Sequence, residues 1–327
     1  MTYEEAKAAF GALFEGRMEA EEARALLVDM YERGETVDEI VAAAEVMRKH
    51  AVKLPVSDDL ARKLIDNCGT GGDGSGTFNI STTVSLLLAA AGCFVAKHGN
   101  RSITSRSGSA DMLEALGICL DLTPDKQVKM LEETGFVFMF AVHHHPAMKF
   151  VMPVRKSIPH RTIFNILGPL TNPAGARRQL LGVFSADYVP MLAEALQRLG
   201  SERATVISSR DGLDEISIAA ETAAADLREG VITSYTVTPE DAGLSVASLR
   251  AVAGGDAQQN ARTARAILAG EEHGPRRDIV LLNAAAALVV DGKAEDLKEA
   301  AALAAETIDS GAAAKKLEQI VELSNRL

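Results

Sequence analysis

The sequence has few cysteines and no long apolar run, and both absences limit what the protein can be. Its 327 residues include only three cysteines. Cys68, Cys93 and Cys119 are too widely spaced to indicate a disulfide framework or a CxxC metal or redox pair, so we expect a reducing, cytoplasmic environment. The longest mainly apolar run, Val84 to Ala96, is too short to cross a bilayer.

Positive charge is also scarce. The chain has 34 lysines and arginines against 45 acidic residues, which gives a formal net charge of −11. This balance argues against a broad surface for nucleic acid or an anionic membrane, and we expect neither partner. The acidic, amphipathic start of the sequence also lacks the pattern of a signal peptide. An anionic ligand therefore has to be held locally, by backbone N–H groups, a few basic side chains and a metal ion.

Hydrophobic residues make up 47% of the sequence, enough to bury the core of one large domain and a smaller one. Residues 1 to about 65 have helical periodicity only, and Thr2 with Glu5 and Thr36 with Glu39 have the capping-box pattern. Beyond this point short apolar segments, glycine-rich turns and alanine-rich helices alternate. That alternation predicts an α/β domain with a central sheet flanked by helices.

Several elements of the α/β part can be predicted individually. We expect a helix over 84–91 and a strand over 93–96, followed by a helix that Ser109 caps and Gly117 closes. A further strand is expected over 204–208.

The most distinctive motif is GTGGDGSGTFNIST, residues 69–82. Its glycines permit positive φ and close approach to a ligand, and we expect this of Gly69 as of the four that follow it. The polar residues after them open a helix whose free N–H groups and hydroxyls suit phosphate oxygens. No lysine follows the last glycine, so this is not a P-loop, and the acidic residue of a dinucleotide fold is missing. On this motif alone, a plain turn before a buried helix is an equally good interpretation.

A second segment, residues 97–109, concentrates cationic and hydroxyl donors after a predicted strand. In an acidic chain this indicates a local anion site, and the alternative is a solvated loop. The donors are Lys97, His98, Asn100, Arg101, Ser102, Ser105, Arg106 and Ser109.

Further along lie three consecutive histidines and an arginine of interest. The side chains of His143, His144 and His145 cannot all converge on one ion from a regular strand or helix, which argues against zinc. His145 is the one we expect to line a pocket. Arg155 either holds a substrate carboxylate or lies on a helix surface, and its pattern favours neither.

An acidic pair, Asp214 and Glu215, follows the predicted strand 204–208 at the loop position where α/β folds bind ligands. Mg²⁺ commonly takes one or two carboxylates together with substrate phosphate oxygens. The alternative is an acidic pair on the surface without a ligand. Only the presence of a phosphate-type loop in the same chain favours a magnesium site.

Taken together, these segments resemble the anthranilate phosphoribosyltransferase family over nearly the whole chain. The motifs that carry the resemblance, in order, are GTGGDG, NIST, KHGNR, GSAD, HPAMK, FNILGPLTNP, DGLDEIS and LLNAAAAL. Enzymes of this family join anthranilate to phosphoribosyl pyrophosphate (PRPP) in tryptophan biosynthesis. The resemblance implies a helical domain over 1–65, joined by helices from about 160–180, that pairs two subunits in a homodimer. It also implies a catalytic α/β domain of the nucleoside-phosphorylase type over 66–327.

The resemblance also implies the site residues. It assigns PRPP contacts to Gly69, Gly72, Asp73, Thr77, Asn79, Ile80, Ser81, Thr82, Lys97, His98, Gly99, Asn100, Arg101, Ser102, Ile103, Thr104, Ser105 and Ser109. Anthranilate contacts fall on Gly69, Asn100, His145 and Arg155. Two Mg²⁺ ions are implied, with Ser81, Asp214 and Glu215 as ligands. No general base is assigned, and His98 is expected in the anthranilate channel.

The chain departs from the family pattern in a few places. Ser208 stands where a histidine is usual, Arg106 where lysine is common, and residues 158–160 are atypical. These changes leave the main contacts in place and bear on loop closure or affinity.

Two other functions remain open from the sequence. A pyrimidine nucleoside phosphorylase shares the architecture, but its glycine loop is usually approached by Lys-His-Ser, where this chain has Asp66, Asn67 and Cys68. A family-like protein that binds nucleic acid without catalysis is opposed by the charge of −11.

Overall fold

The chain begins with a group of helices. A computed structural model describes residues 1–101 and 106–327. The first helices run over Tyr3–Phe14 (α1), Ala20–Arg33 (α2), Val37–Lys49 (α3) and Asp58–Ala61 (α4). Both predicted capping boxes are confirmed: the Thr2 hydroxyl accepts from the Glu5 N–H, and the Thr36 hydroxyl accepts from the Glu39 N–H. In each, the glutamate returns a bond to the cap backbone, so each helix start satisfies its own donors.

A seven-stranded mixed sheet forms the centre of the described structure, in the order β3-β2-β1-β4-β5-β6-β7. The neighbouring pairs from β3 to β5 are parallel, and β6 and β7 extend the sheet antiparallel. The strands run over Leu64–Asp66 (β1), Phe94–Gly99 (β2), Phe136–Phe140 (β3), Arg178–Gly182 (β4), Arg203–Ser209 (β5), Thr222–Arg228 (β6) and Val231–Val237 (β7). Because the carboxyl ends of parallel strands meet at one edge, the glycine-rich, basic and acidic segments come together there.

Helices cover the sheet, which confirms the predicted α/β class with a helical N-terminal part. They run over Ile80–Ala90 (α5), Ser109–Ala115 (α6), Pro124–Thr134 (α7), Ala141–His144 (α8), Met148–Lys156 (α9), Phe164–Leu167 (α10), Tyr188–Arg198 (α11), Ala257–Leu268 (α12), Pro275–Asp291 (α13), Leu297–Asp309 (α14) and Ala312–Arg326 (α15).

The predicted elements of this part are present with shifted bounds. Helix α5 starts four residues before the predicted 84–91, and β2 continues beyond the predicted 93–96 to Gly99. The predicted cap at Ser109 is wrong. Gly108 is the N-cap of α6, its N–H donates to the Asp111 carboxylate at 2.8 Å, and Ser109 is the first helical residue.

The large apolar cores lie on opposite faces of the sheet. Leu180 and Leu181 are neighbours on β4 yet belong to different cores, because successive side chains of a strand point to opposite faces. One core packs α5 and α13 against the sheet. The other joins α1, α2 and α3 to α9, α10 and α11, so segments distant in sequence share one interior. Among the described residues, the helices are all too short or too polar to cross a membrane.

Candidate active site

The glycine-rich loop leaves β1 and curls at the carboxyl edge of the sheet. Gly71, Gly72, Gly74 and Gly76 all have φ between 66° and 73°, a region that favours glycine. A Cβ at any of these four positions would meet no atom within 4 Å, so their side is open. The loop therefore exposes its backbone to an incoming ligand.

Gly69 has a different reason for being glycine, and the expectation of positive φ there is wrong. A Cβ on Gly69 would lie 2.3 Å from Asp214 Oδ2. At Gly182, the last residue of β4, a Cβ would lie 1.5 Å from the Asp214 carbonyl oxygen. Two glycines that face each other in an isolated β-bridge thus make room for one aspartate. Sequence reasoning missed Gly182, although a glycine ending a buried strand is a recognised signal of close backbone approach.

Three carboxylates meet beside this loop. Oxygens of Asp73, Asp214 and Glu215 all lie within 4.8 Å of one another. Asp214 is buried and also accepts a hydrogen bond from the Gly71 N–H at 2.6 Å. The backbone of Ser81, at the start of α5, faces Glu215 and acts to lower its pKa. The structure therefore joins Asp73, predicted from the resemblance as a PRPP contact, to the predicted metal ligands.

Crowding of negative charge dominates the electrostatics of this cluster. Burial, followed by the neighbouring Asp73, raises the pKa of Asp214 to about 6, against the opposing bond from Gly71. Burial and the charges of Asp214 and Asp73 likewise raise the pKa of Glu215 well above its usual value, while Lys97 lowers it. Like charges this close disfavour full ionisation unless a cation joins them.

The donor set fits a magnesium ion. Hard carboxylate oxygens are what Mg²⁺ prefers, and a site completed by substrate phosphate oxygens needs only one or two of them from the protein. The mutual repulsion of Asp73, Asp214 and Glu215 is the feature that a divalent cation would relieve. Zinc and copper are disfavoured because the cluster contains no nitrogen or sulfur ligand.

Lys97 supplies buried positive charge near the acidic cluster. It lies on β2 with only 1% of its surface exposed and forms no ion pair with a carboxylate of the described residues. Burial lowers its pKa, while Asp66, Cys68, Glu215 and Asp214 act in the opposite direction. A buried ammonium without a direct partner favours the approach of an anion.

His98 and His145 form a buried pair whose hydrogen atoms are fixed by their surroundings. His98 Nδ1 lies 3.0 Å from the Gly168 carbonyl oxygen, which can only accept, so Nδ1 carries the hydrogen. Burial lowers the pKa of His98 to about 3 and that of His145 to about 4, so both rings are neutral near pH 7. His98 Nε2 must then accept from His145 Nε2, 3.2 Å away. His145 Nδ1 is left as a buried acceptor with no hydrogen-bond partner among the described residues.

The three consecutive histidines have three different environments, as their spacing predicts. His144 bonds the Val52 carbonyl at 2.7 Å, and His143 packs against the Phe140 ring. Only His145 reaches His98.

Two of the predicted anthranilate contacts, Arg155 and Asn100, keep polar side-chain groups available for a ligand. Arg155, near the end of α9, is half-buried. Its guanidinium has no hydrogen bond or ion pair to the described residues, and burial lowers its pKa. Asn100 is exposed directly after β2, and its side-chain oxygen accepts from the Arg101 N–H at 2.8 Å.

Several predicted PRPP contacts are less available to a ligand than the resemblance implies. Ile80 and Thr82 are wholly buried, so neither presents an exposed surface to a ligand in this structure. The Arg101 guanidinium already pairs with Asp111 at 2.9 Å and Glu114 at 2.7 Å, which neutralises its charge.

The remaining predicted contacts divide into two groups. Thr77 lies half-buried in the loop and bridges to Ala253, while Gly99 and Ser109 lie together beside Phe138. The predicted contacts Ser102, Ile103, Thr104 and Ser105 lie outside the described residues.

Asn79 is tied to two other segments. Its amide bonds Ser107 through both atoms, and its oxygen also accepts from Asn260 Nδ2 at 2.9 Å. Sequence reasoning missed Asn260, which lies 181 positions away and belongs to none of the motifs.

The fold and this site define a class of enzyme. Residues 61–314 match the model of the glycosyl transferase family, a/b domain, and residues 1–51 match that of the glycosyl transferase family, helical bundle domain. The chain is 49% identical over 323 residues to the anthranilate phosphoribosyltransferase of Rubrobacter xylanophilus, which covers 99% of this chain and 93% of that protein. The crystal structure of anthranilate phosphoribosyltransferase from Thermus thermophilus superposes with a TM-score of 0.93 at 46% identity, covering 99% and 96% of the two chains. The chain belongs to the anthranilate phosphoribosyltransferase family, as its motifs predict.

Structures of the Saccharomyces cerevisiae enzyme are similar at lower identity. Its complex with PRPP and Mg superposes with a TM-score of 0.84 at 28% identity, covering 94% of this chain and 86% of that one. Its complex with 4-fluoroanthranilate superposes with a TM-score of 0.87 at 25% identity, covering 100% and 94%.

Proposed function

We propose that the protein transfers the phosphoribosyl group of PRPP to the amine of anthranilate, giving N-(5-phosphoribosyl)anthranilate and pyrophosphate in tryptophan biosynthesis. The observation that supports this most strongly is the acidic cluster of Asp73, Asp214 and Glu215 set against an open glycine loop. Such a pairing suits a magnesium-bound pyrophosphate, and the family relatives carry the name of this activity.

The donor side combines neutralisation with backbone contacts. The open loop from Gly71 to Gly76 and the start of α5 would bind phosphate oxygens through N–H groups. Lys97 would add a buried positive charge. Asp73, Asp214, Glu215 and the Ser81 hydroxyl would hold magnesium, for which we propose two ions. When bound, Mg²⁺ supplies charge that stabilises the departing pyrophosphate.

The acceptor side would recognise a carboxylate. The Arg155 guanidinium, without a partner among the described residues, can bind the two oxygens of a benzoate-type carboxylate in parallel. Asn100 and Gly69 lie at the same strand-end edge of the sheet and complete the proposed anthranilate contacts.

The chemical step breaks the bond between the anomeric carbon and pyrophosphate and forms a bond from that carbon to the amine nitrogen. The amine attacks neutral and loses a proton to solvent or to the released pyrophosphate after the new bond forms, so positioning carries more of the catalysis than a strong base. The lone pair of His98 Nε2 is taken by His145. Between these two histidines, the Nδ1 atom of His145 is the one with acceptor capacity left, and we name no general base.

The assembly and location follow from the same family resemblance. We propose a cytoplasmic homodimer in which residues 1–65, joined by helices from about 160–180, pair the subunits and residues 66–327 carry the chemistry. The core that α1, α2 and α3 share with α10 supports that grouping in part, and it also includes α9 and α11, which lie outside 160–180. We propose no nucleic-acid or membrane partner.

Separate assays with two sets of substrates test the proposed reaction class. Purified protein with Mg²⁺ should release pyrophosphate from PRPP only when anthranilate is present. It should form no free base from thymidine or uridine with phosphate, which is the reaction of a pyrimidine nucleoside phosphorylase. Phosphorolysis of either nucleoside, without pyrophosphate release from PRPP, would replace the proposal by that alternative.

A further inference from the structure

Asn260 lies in the first turn of α12 with only 2% of its surface exposed, far in sequence from the proposed donor site. Its Oδ1 accepts from the Gly255 N–H at 2.8 Å, and its Nδ2 donates to Asn79 Oδ1 at 2.9 Å. A buried amide whose two ends are both bonded has a defined position and orientation. Asn260 therefore fixes the position of the Asn79 side-chain amide.

Backbone groups at both ends of this chain of bonds fix which way each amide points. The Gly255 N–H can only donate, so the Asn260 atom facing it is oxygen and the one facing Asn79 is the NH₂ group. Asn79 must then present its oxygen to Asn260 and its own NH₂ to the Ser107 carbonyl, 3.1 Å away, which can only accept. The hydrogen-bond pattern is consistent from end to end.

The backbone before α12 braces the glycine-rich loop as well. The Gly254 N–H donates to the Gly76 carbonyl at 2.9 Å, and the Phe78 N–H donates to the Val252 carbonyl at 3.2 Å. A Cβ on Gly254 would lie 2.5 Å from the Thr77 oxygen, so the two backbones are in close contact. Residues 252–260 therefore act as one brace against the end of the loop.

The orientation imposed on Asn79 leaves a defined group available. Asn79 Oδ1 accepts two hydrogen bonds, from Asn260 Nδ2 and from the Ser107 hydroxyl at 3.0 Å, so its acceptor capacity is used. The NH₂ group makes one bond, to the Ser107 carbonyl, and retains one N–H with no partner in the described part of the chain. A free donor at the start of α5 is the kind of group that a phosphate oxygen takes.

We propose that Asn260 is a positioning residue for the phosphoribosyl donor, acting through Asn79. Its amide holds the Asn79 amide with one N–H left unbonded and ties the glycine-rich loop to Ser107 at the end of the basic segment. This inference rests on the proposed function, because it assigns that unbonded N–H to a phosphate oxygen of PRPP. If Asn260 presented an acceptor instead, Asn79 would have to turn over and set its oxygen against the Ser107 carbonyl.

Asn260→Asp tests this because it keeps the acceptor for the Gly255 N–H and the side-chain shape but cannot donate to Asn79. We expect the dissociation constant of PRPP, measured by calorimetry with Mg²⁺, to rise about tenfold, the typical effect of losing one hydrogen bond to a charged group. The KM for PRPP should rise with it, while the KM for anthranilate stays within about twofold of the unsubstituted protein. Gln258→Glu is the matched control, because it makes the same amide-to-carboxylate change on an exposed position of the same helix.

A double-substitution cycle separates positioning through Asn79 from a general effect. Asn79→Ala removes the group through which Asn260 acts, so adding Asn260→Asp to it should leave PRPP affinity unchanged from Asn79→Ala alone. A further loss in the double variant would overturn the proposal, as would unchanged PRPP affinity in Asn260→Asp.

The fold of Asn260→Asp is checked by thermal denaturation. A melting transition close to that of Gln258→Glu is expected. Unfolding at the assay temperature would assign Asn260 to the stability of the fold and contradict the proposal. Failure of the unsubstituted protein to bind PRPP or form product would instead contradict the proposed function itself.

Discussion

The carboxylate of Asp214 accepts a hydrogen bond from the backbone N–H of Gly71 at 2.6 Å, across 143 positions of sequence. This bond joins the loop after β5 to the glycine-rich loop after β1. It also opposes the burial and the Asp73 charge that raise the pKa of Asp214 to about 6. A direct hydrogen bond thus connects the loop that would hold the donor to the cluster that would hold magnesium.

Neutralising the acidic pair should abolish magnesium-dependent turnover. Asp214→Asn and Glu215→Gln keep the side-chain shapes but remove the charges that would hold the ion. We expect kcat/KM to fall at least about a hundredfold, because stabilisation of the leaving-group charge is usually the largest catalytic contribution. The measurement is the initial rate across a magnesium titration.

Glu221→Gln is the control for this pair of substitutions. Glu221 lies on the same connection between β5 and β6, is exposed, and pairs with Arg210 at 2.8 Å. Its substitution should leave the magnesium titration unchanged. Near-normal activity of both site variants at ordinary magnesium would remove Asp214 and Glu215 from the metal site.

Arg155→Ala should separate the two substrates. The substitution deletes the proposed partner of the anthranilate carboxylate, so the KM for anthranilate should rise about tenfold or more while the KM for PRPP changes little. Lys156→Ala, at the exposed neighbouring position, is expected to change neither. An equal rise in both constants for Arg155→Ala would show that the arginine supports the site as a whole.

Gly72→Ala should weaken the binding of PRPP. Gly72 has φ of 73°, and its carbonyl accepts from Arg161 at 2.5 Å. An alanine costs about 1–2 kcal/mol in this conformation. A loop that relaxes to avoid the strain has to be restored on binding, so calorimetry should show up to about a tenfold rise in the dissociation constant.

Gly200→Ala makes the same change elsewhere. Gly200 has φ of 84° and open space around it, and it follows α11 rather than the glycine-rich loop. It should lower stability without changing PRPP affinity. Unaltered affinity in Gly72→Ala would mean that this glycine is only a turn residue.

The stability of the protein should fall with pH through His98. The pKa of His98 is about 3 in the fold against an ordinary 6.5, mainly because it is buried. Below pH 6.5 the unfolded chain therefore binds a proton that the folded chain does not, and stability is lost as the pH falls towards 3. Between pH 6.5 and 5 this amounts to about 1.6 kcal/mol.

His98→Asn isolates that contribution because its amide can still donate to the Gly168 carbonyl. Urea unfolding at both pH values should show a smaller loss of stability for this variant than for the unsubstituted protein. His273→Asn, at an exposed position, should keep the larger loss. Equal losses in all three proteins would show that His98 does not remain neutral in the fold.

Local patterns predicted much of the fold because several helix starts are encoded within a few residues. The capping boxes at Thr2 and Thr36 and the polar start of α5 were all legible in the sequence. The meeting of the glycine-rich and acidic segments also followed, because parallel strands place their ends at one edge. The family resemblance then named the substrates.

What the sequence did not reveal depends on contacts between distant segments. Gly69 was assigned a turn conformation, whereas its missing Cβ makes room for Asp214. Asp73 lies close to Asp214 and Glu215 only in the folded chain. The same holds for the contact between Asn260 and Asn79. Periodicity and spacing report neighbours along the chain, so such pairs need the coordinates.

The most direct test of the central claim is the loss of anthranilate fluorescence in the presence of PRPP and Mg²⁺. The purified protein should consume anthranilate only when both are added, and chelation of Mg²⁺ should stop the reaction. Fluorescence that stays constant with all three components present, at protein concentrations where the fold is intact, would contradict the assignment of this chain as an anthranilate phosphoribosyltransferase.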